Sequence, residues 1–275
     1  MIRTNTIQWI AIISLFLIFS LKTEAQCYSE NTVVKAGEKV YFDVYYNWGF
    51  IWVSAAEAIF EVNHTEYKGN TVFHFKSFGR SLPSYDWLYK VRDVYEAYAD
   101  TSNLKPYWFN RNTSEGNYKV NNEYSFDHAN KKIYSKSENS KKPLVRDTIQ
   151  LPDCIYDMQA AIYHARNLDF SQLKIGEKIP IKMLIDNEIA DLYIRYMGRD
   201  TIQTKNGIKY ACIKFTALMM EGSIFNGGED VEVWVTDDQN KIPVLVEAKI
   251  LVGSVKAYLS KYTGLRNEST AILKN

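Results

Sequence analysis

Apolar and polar residues alternate along most of the chain after residue 36, with the period of two that half-buried β-strands show. Short clusters of Gly, Asn and Asp separate the alternating segments, and Asn206-Gly207 between two of them predicts a type I′ hairpin turn. The pattern predicts an all-β, mainly antiparallel protein. The predicted strands are 39–46, 54–63, 71–77, 91–99, 106–111, 116–126, 179–185, 192–203, 208–218, 231–236, 242–252 and 255–261.

One segment follows a helical period instead. Asp153 is a suitable N-cap, and the apolar residues after it fall on one helical face, which predicts a helix at about 154–167. The polar stretch 135–147 predicts an exposed connection between strands. The apolar residues of the predicted helix face are Ile155, Met158, Ile162 and Ala165.

Residues 93–119 and 230–256 share six identical residues at a constant offset of 230 − 93 = 137. Gly, Asp and Pro also recur in unrelated turns for steric reasons, so chance similarity is the competing interpretation. Duplication predicts two related β halves that form a curved sheet, an incomplete barrel or a sandwich, with the helix between them. The matching residues are Asp93, Val94, Asp100, Pro106, Gly116 and Lys119 in the first half and Asp230, Val231, Asp237, Pro243, Gly253 and Lys256 in the second.

The N-terminal residues have the layout of a secretory signal peptide. Trp9–Leu21 is an apolar run of 13 residues, and the small residues Thr23 and Ala25 precede a cleavage site before Gln26. A membrane span needs about 20 apolar residues, so the run is too short for a transmembrane anchor. We expect an exported protein, with the periplasm as its destination, that is not an integral membrane protein.

This leader suggests a division of the chain into four parts. They are a signal peptide at 1–25, a first β half at 26–126, a linker with the helix at 127–175 and a second β half at 176–275. The other interpretation is that residues 26–275 form one compact domain.

Three cysteines remain after cleavage. In an oxidising compartment a Cys27–Cys154 disulfide would fix the start of the mature chain, and three reduced thiols are the other interpretation. Cys27 also follows the cleavage site, as in lipoproteins, but Gln26 stands where a small residue is expected, which argues against a lipid anchor.

The charge balance argues against polyanionic partners. The chain has 33 Lys and Arg against 32 Asp and Glu, and loss of Arg3, Lys22 and Glu24 with the leader leaves 33 − 2 = 31 and 32 − 1 = 31. A mature protein with zero formal net charge argues against a nucleic-acid binder that works by counterion release. We therefore expect no nucleic-acid partner.

No sequence motif defines an enzyme family. G-x-S-x-G, P-loop and G-x-G-x-x-G patterns do not occur, and the four His residues lack metal-site spacing. Carboxylate pairs such as Asp93 and Glu96 occur, but turns and strand edges account for them as well as acid–base chemistry does. We predict no catalytic residues, no metal site and no cofactor.

Aromatic residues are concentrated in Tyr45–Trp52, and a second group follows Leu82-Pro83. Exposed Trp and Tyr side chains stack on sugars or line pockets for apolar ligands, whereas buried ones plug the end of a barrel or sandwich. The candidate ligand-binding residues are Tyr46, Trp48, Trp52, Tyr85 and Trp87.

The most distinctive segments of the chain are Tyr45–Ala58, Val91–Asp93, Ile162–Asn167 and Val233–Asp238. Together with 242–244 and 252–256, they resemble the bacterial family DUF3108 over most of residues 36–265. The resemblance implies an exported, β-rich protein of unassigned function, and it brings no catalytic residue.

From these observations we expect a non-catalytic binding or carrier protein of the bacterial envelope, with an apolar or glycan ligand on a concave β surface. The second hypothesis is a hydrolase that acts on envelope polymers. The third is a scaffold that pairs with another envelope protein through a strand edge.

Overall fold

A computed structural model of the chain describes residues 28–48, 51–220, 227–250 and 253–274. Within these ranges one sheet of fifteen strands accompanies one α-helix, α1, at Met158–Asn167, and a short 3-10 turn at Pro83–Tyr85. No helix in the same ranges is long and apolar enough to cross a membrane. The strands are β1 Lys39–Trp48, β2 Ile51–Tyr67, β3 Asn70–Ser81, β4 Val91–Ala99, β5 Pro106–Glu115, β6 Tyr118–Asp127, β7 Lys132–Asn139, β8 Lys142–Gln150, β9 Ile155–Tyr156, β10 Lys178–Ile185, β11 Glu188–Gln203, β12 Lys209–Met219, β13 Gly228–Thr236, β14 Pro243–Lys249 and β15 Ser254–Thr263.

The sheet is an almost continuous antiparallel meander. Its strand order is β8-β7-β6-β5-β4-β3-β2-β1-β15-β14-β13-β12-β11-β10-β9, and the short β9 pairs in parallel with β10. At the centre β1 pairs with β15, with Val44 opposite Ala257, and this pair joins the two ends of the meander. The prediction of an all-β, mainly antiparallel protein is confirmed.

The two halves, β1–β6 and β10–β15, repeat the same strands and turns. Gly37 and Gly176 precede β1 and β10 with φ of +93° and +91°. Leu104 and Lys241 lie in equivalent turns with φ of +60° and +44°. Left-handed backbone is unfavourable for such residues, so its recurrence at an offset of 241 − 104 = 137 is evidence for a shared turn. The matching turns support the prediction of two related β halves, which stays a prediction.

The sheet curls until its distant strands meet. Asn122 Nδ2 of β6 donates to Asp186 Oδ1 at 2.8 Å, and Asn187 N donates to Tyr124 OH at 3.2 Å. Asp186 and Asn187 form the β10–β11 turn, and β10 lies eleven positions from β6 in the sheet order. In a flat sheet, with strands about 4.8 Å apart, the two would be about 50 Å apart. The curled sheet is therefore an incomplete barrel.

Helix α1 begins four residues later than the sequence predicts. Asp157 is its N-cap and accepts the Ala160 N–H at 2.9 Å, so the assignment of this role to Asp153 is wrong. The cause is the pairing of Ile155–Tyr156 with β10, which holds these residues extended as β9. Sheet pairing thus delays the start of the helix.

Most of α1 is enclosed by the sheet. Tyr163 stacks on Phe75 of β3, with ring centroids 4.0 Å apart. The helix therefore packs inside the curled sheet and is not a linker on its surface. Its buried residues are Gln159, Ala160, Ala161, Tyr163, His164 and Arg166, whereas Met158, Ile162 and Ala165 of the predicted face are half-buried.

The prediction of an exposed connection at 135–147 is wrong, because β7 and β8 form a hairpin there, with Tyr134 opposite Thr148. β8 is one edge of the sheet and is exposed on both faces except at Ile149. Its sequence consequently lacks the alternation that marks a half-buried strand.

The Asn206-Gly207 hairpin is confirmed, but its turn is not of type I′. Gly207 has φ of +86°, whereas φ of Asn206 is not positive. Gly207 N donates to Thr204 O at 3.0 Å and Thr204 N donates to Ile208 O at 2.9 Å. This is the pattern of a type I turn followed by a glycine bulge.

Candidate functional site

Two rows of side chains, nine of them Val or Ala and the tenth Tyr46, cross five adjacent strands near the centre of the sheet on the face that carries α1. Register pairing defines each row, because residues opposite each other, and residues two apart along a strand, share one face of a sheet. We call these ten residues the apolar strip. Across β2, β1, β15, β14 and β13 the first row is Ala56, Val44, Ala257, Val246 and Val233, and the second row is Val53, Tyr46, Val255, Ala248 and Val231.

The apolar strip is more exposed than the residues that continue two of its strands. Nine of its ten residues are partly exposed, and Val231 is buried. Two positions further along β1 and β15, Phe42 and Leu259 are only 5% and 2% exposed. Val233 packs against the cluster that contains Ala160 of α1, so the helix borders the strip on that side. The strip is therefore a partly exposed apolar surface on the concave face, at one end of the barrel.

Four polar residues continue this face on β4 and β5. Gly79 of β3 lies opposite Asp93, and Tyr95 lies opposite Arg111. Asp93 and Tyr95 are two apart on β4, and Arg111 and Glu115 are four apart on β5, so all four share the face of the strip. We call Asp93, Tyr95, Arg111 and Glu115 the polar corner.

Two side chains of the polar corner titrate abnormally. Burial raises the pKa of the Asp93 carboxyl to about 6, and the nearby Glu115 carboxylate adds to the rise. The Ser114 N–H, which donates to Asp93 Oδ1 at 3.1 Å, opposes this shift without cancelling it. Burial also raises the pKa of Tyr95 to about 12. The corner therefore holds a carboxyl that titrates near neutral pH.

Arg111 is the cation of the corner, and it is incompletely paired. Its Nη1 lies 3.3 Å from Asp186 Oδ1, while its Nε is buried and has no acceptor among the described residues. In the adjoining row Gln159 of α1 donates to Ser77 Oγ, and Gln159 Oε1 is likewise buried with no donor in the described ranges. Buried polar atoms are normally hydrogen-bonded, so these two atoms lack the partner that such atoms usually have.

The structure separates the predicted aromatic residues of the first two strands. Tyr46 belongs to the apolar strip. Trp52 is half-buried on the opposite face, with Lys256 Nζ 4.8 Å from its ring centroid. The side chain of Trp48 lies outside the described residues. Among these three, the geometry brings only Tyr46 to the concave surface within the described residues.

A β-bulge explains the position of Trp52. Ala55 is skipped between two successive pairs of the β1–β2 register. The skipped residue reverses the alternation of β2, so that Val53 shares the face of Ala56 and Trp52 does not. Regular alternation would place Trp52 on the face of Ala56.

The connection from β3 to β4 forms an exposed apolar rim. Trp87 is 81% exposed and Tyr89 is 53% exposed, while Tyr85 is half-buried in the 3-10 turn. The Tyr89 ring lies against Gly116 in the β5–β6 turn, where an added Cβ would come within 3.0 Å of it. Trp87 is therefore not a barrel plug, and ligand contacts by Tyr85 and Trp87 stay predictions.

Only Tyr46 of the apolar strip, and no residue of the polar corner, is predicted from the sequence as a ligand-binding residue. Val231–Val235 and Val244–Ala248 alternate small apolar residues, as does any strand that faces a core. What distinguishes a binding surface from a core is the lack of covering side chains, which is a tertiary property. The sequence gives no sign that Asp93 and Arg111 lie on the concave face, because a polar strand residue is ordinarily assigned to the solvent face.

The predicted disulfide stays a prediction, because Cys27 lies outside the described residues. Cys212 of β12 is a buried free thiol, and burial raises its pKa to about 12. Such a thiol is protonated at neutral pH and therefore a poor nucleophile. Cys212 is a core residue.

Two surface grooves lie away from the apolar strip. One of about 520 Å³ is lined by β6–β8 residues that include Tyr134 and Arg146, and one of about 430 Å³ is lined by residues that include Asp238, Lys241 and Glu268. Neither contains a predicted ligand-binding residue. Within the part of the chain that the structure describes, no group of three or more His, Cys, Asp or Glu could hold a metal ion.

These features define a class of protein: an all-β chain whose single curled sheet encloses a helix and leaves an apolar concave end. Residues 41–260 match the family model described as a protein of unknown function, DUF3108, and the chain belongs to that family. Comparison with curated proteins gives no match.

The fold is also similar to a solved structure. The crystal structure of a beta-barrel-like protein of domain of unknown function DUF1849 from Brucella abortus aligns with a TM-score of 0.53 and 9% identity, over 88% of this chain and 100% of that chain. At this identity the similarity concerns the fold alone, and it agrees with an incomplete barrel.

Proposed function

We propose that this protein is an exported, non-catalytic binding or carrier protein of the bacterial envelope, and that its ligand is apolar and lies on the apolar strip. The observation that carries the proposal is the strip itself, in which nine of ten residues are partly exposed on a concave surface. Soluble proteins rarely expose a contiguous apolar surface unless something binds there. Val and Ala leave room that Leu or Phe would fill.

Burial of an apolar chain on the strip supplies enough free energy for reversible binding. Removal of apolar surface from water contributes about 25 cal/mol per Å². A ligand that buries about 300 Å² therefore gains about 7.5 kcal/mol before the entropic cost of association. A gain of this size allows the ligand to be released again, as a carrier requires.

The N-terminal sequence supports export. Residues 1–25 have the layout of a signal peptide, and the zero net charge of the remaining chain suits a soluble envelope protein without polyanionic partners. Mass spectrometry of the protein from periplasmic extracts tests this part of the proposal. We expect a mature N-terminus at Gln26, and a protein retained in the cytoplasm with an intact leader would contradict it.

The ligand site is tested by filling it. Ala248→Trp places an indole on the apolar strip, whereas Ala129→Trp places the same side chain in an exposed turn. With dansyl-labelled undecanoic acid as a fluorescent probe, we expect Ala248→Trp to weaken binding at least about tenfold and Ala129→Trp to leave it unchanged. Native mass spectrometry of protein purified from its host should show a bound apolar species. Equal binding by both variants would overturn the proposal.

One observation favours a second candidate function, a hydrolase that acts on envelope polymers. The pKa of Asp93 is raised to about 6 by burial and by Glu115, and a carboxyl pair with one raised pKa suits general acid–base catalysis. Catalysis leaves the apolar strip unexplained, which is why we rank it second. Release of reducing ends from peptidoglycan fragments by the wild type but not by Asp93→Asn would support it, and no release around the pKa of Asp93 would remove it.

A further inference from the structure

We infer that the ligand is an amphiphile with an uncharged, hydroxyl-rich headgroup, whose apolar tail lies on the apolar strip and whose hydroxyl groups bind the polar corner. This inference rests on the proposed function and names its ligand class. It follows from two adjoining parts of one concave face, which is apolar on β1, β2 and β13–β15 and polar on β4 and β5. A molecule that covers both parts must itself have an apolar end and a polar end.

The two parts are continuous because small residues separate them. Gly79, which is partly exposed, lies opposite Ala58 on one side and Asp93 on the other. Ser81, opposite Ala56 of the strip, is buried beneath Asp86, so the two parts adjoin at Gly79. At about 4.8 Å between strands, β2 and β4 are about 10 Å apart, which one amphiphile spans easily. A bulky residue at position 79 would divide the face into two separate sites.

The hydrogen-bonding groups of the corner disfavour a charged headgroup. A cationic group would leave the buried Arg111 Nε without an acceptor and would face its guanidinium. An anionic group would face the carboxylates of Asp93 and Glu115, which already repel each other. A hydroxyl group both donates and accepts, so a polyol satisfies the guanidinium and the carboxylates together.

The rim beside the corner suits a sugar ring. Tyr89 lies against Gly116, the residue after Glu115, and Trp87 is 81% exposed nearby in the chain. Aromatic faces of this kind offer an apolar surface to the flat side of a ring while the hydroxyl groups of that ring reach polar partners. A glycosylated tail therefore matches the rim, the corner and the strip at once.

Isothermal titration calorimetry with amphiphiles of equal chain length tests the inference. The probes are decyl maltoside, decanoate and decyltrimethylammonium, each kept below its critical micelle concentration. We expect the wild type to bind the maltoside at least about tenfold more tightly than either charged probe. Glu115→Ala should lower the affinity for the maltoside about tenfold, whereas Glu123→Ala, on the opposite face of β6, should not change it.

The outcomes separate the headgroup from the tail site. Equal affinity for all three probes, with binding still lost in Ala248→Trp, would overturn the headgroup inference and leave the proposed function standing. Maltoside binding that persists in Ala248→Trp, or no binding of any probe by the wild type, would overturn the proposed function and the inference with it. If circular dichroism shows that Glu115→Ala does not fold, the relative affinities of the wild type for the three probes alone test the headgroup inference.

Discussion

Arg166 of α1 and Glu38, the residue before β1, form a bidentate ion pair inside the barrel. Their Nη1–Oε1 and Nη2–Oε2 distances are 2.5 and 3.0 Å, and the side chains are 4% and 1% exposed. Arg166 Nε also donates to Asn240 O at 3.0 Å in the β13–β14 turn. The helix is thereby fixed to both halves of the sheet by one side chain.

Breaking this pair is expected to destabilise the protein strongly. Glu38→Ala leaves the Arg166 guanidinium buried without its carboxylate, a change that costs about 3–5 kcal/mol. Glu123→Ala is the control, because it removes an exposed pair with Lys136 at 2.9 Å and should cost less than about 1 kcal/mol. Urea denaturation measures both losses. Similar losses in the two variants would show that the buried pair contributes no more to stability than the exposed pair.

Substitution of two aspartates, four residues apart, tests which of them caps the N-terminus of α1. Asp157 accepts the Ala160 N–H at 2.9 Å, so Asp157→Ala should lower the free energy of unfolding by about 1–2 kcal/mol. Asp153 is exposed and lies outside the helix, so Asp153→Ala should leave stability unchanged. Thermal and urea denaturation compare the two variants, and the reverse ranking would favour a helix that starts at residue 154.

The error over Asp153 shows which features sequence patterns can detect. Alternation located the strands because it directly reports the burial of one face. It missed β7 and β8, part of which was predicted as an exposed connection at 135–147, and β9, whose residues Ile155–Tyr156 are held by pairing with a strand that follows α1. β8 is exposed on both faces, whereas β7 alternates in burial but is made mostly of polar residues. Long-range pairing and edge exposure leave no periodic signal in the local sequence.

The candidate site was predicted less completely than the fold. Tyr46 lies on the concave face, but the bulge at Ala55 turns Trp52 away, and bulges have no reliable sequence mark. The openness of the strip depends on where α1 stops covering the sheet. The polar corner depends on the closure of the barrel, which brings Asp186 to Arg111. Neither is a property of one segment of sequence.

The predicted disulfide is tested by peptide mapping of the exported protein without reduction. We expect Cys27 and Cys154 in one cross-linked peptide pair, and we expect Cys212 to resist iodoacetamide until the protein is denatured, because it is buried. Cys27→Ser should cost about 2–4 kcal/mol of stability, whereas Cys212→Ala should leave the cross-link intact. Alkylation of Cys154 in the native, unreduced protein would contradict the prediction.

His164 of α1 is expected to make stability fall in mild acid. It is 4% exposed, with Nδ1 3.1 Å from the Tyr156 hydroxyl, and burial lowers its pKa from 6.5 to about 4. The unfolded chain protonates this imidazole below pH 6.5 and the folded chain only near pH 4, so protons favour unfolding between these values. The expected loss is about 3 kcal/mol by the lower end of that range.

Asp157 has the opposite effect on the pH dependence of stability, so a variant is needed to measure the effect of His164 alone. Burial raises the pKa of Asp157 to about 7, and the folded chain therefore takes up this proton before the unfolded chain and gains stability as the pH falls. The difference in unfolding free energy between wild type and His164→Gln removes this common contribution. As the pH is lowered from above 6.5 to about 4, we expect the wild type to lose about 3 kcal/mol of unfolding free energy relative to His164→Gln. Urea denaturation of both proteins at each pH measures this loss. A difference that stays constant with pH would show that His164 is not a buried, neutral base.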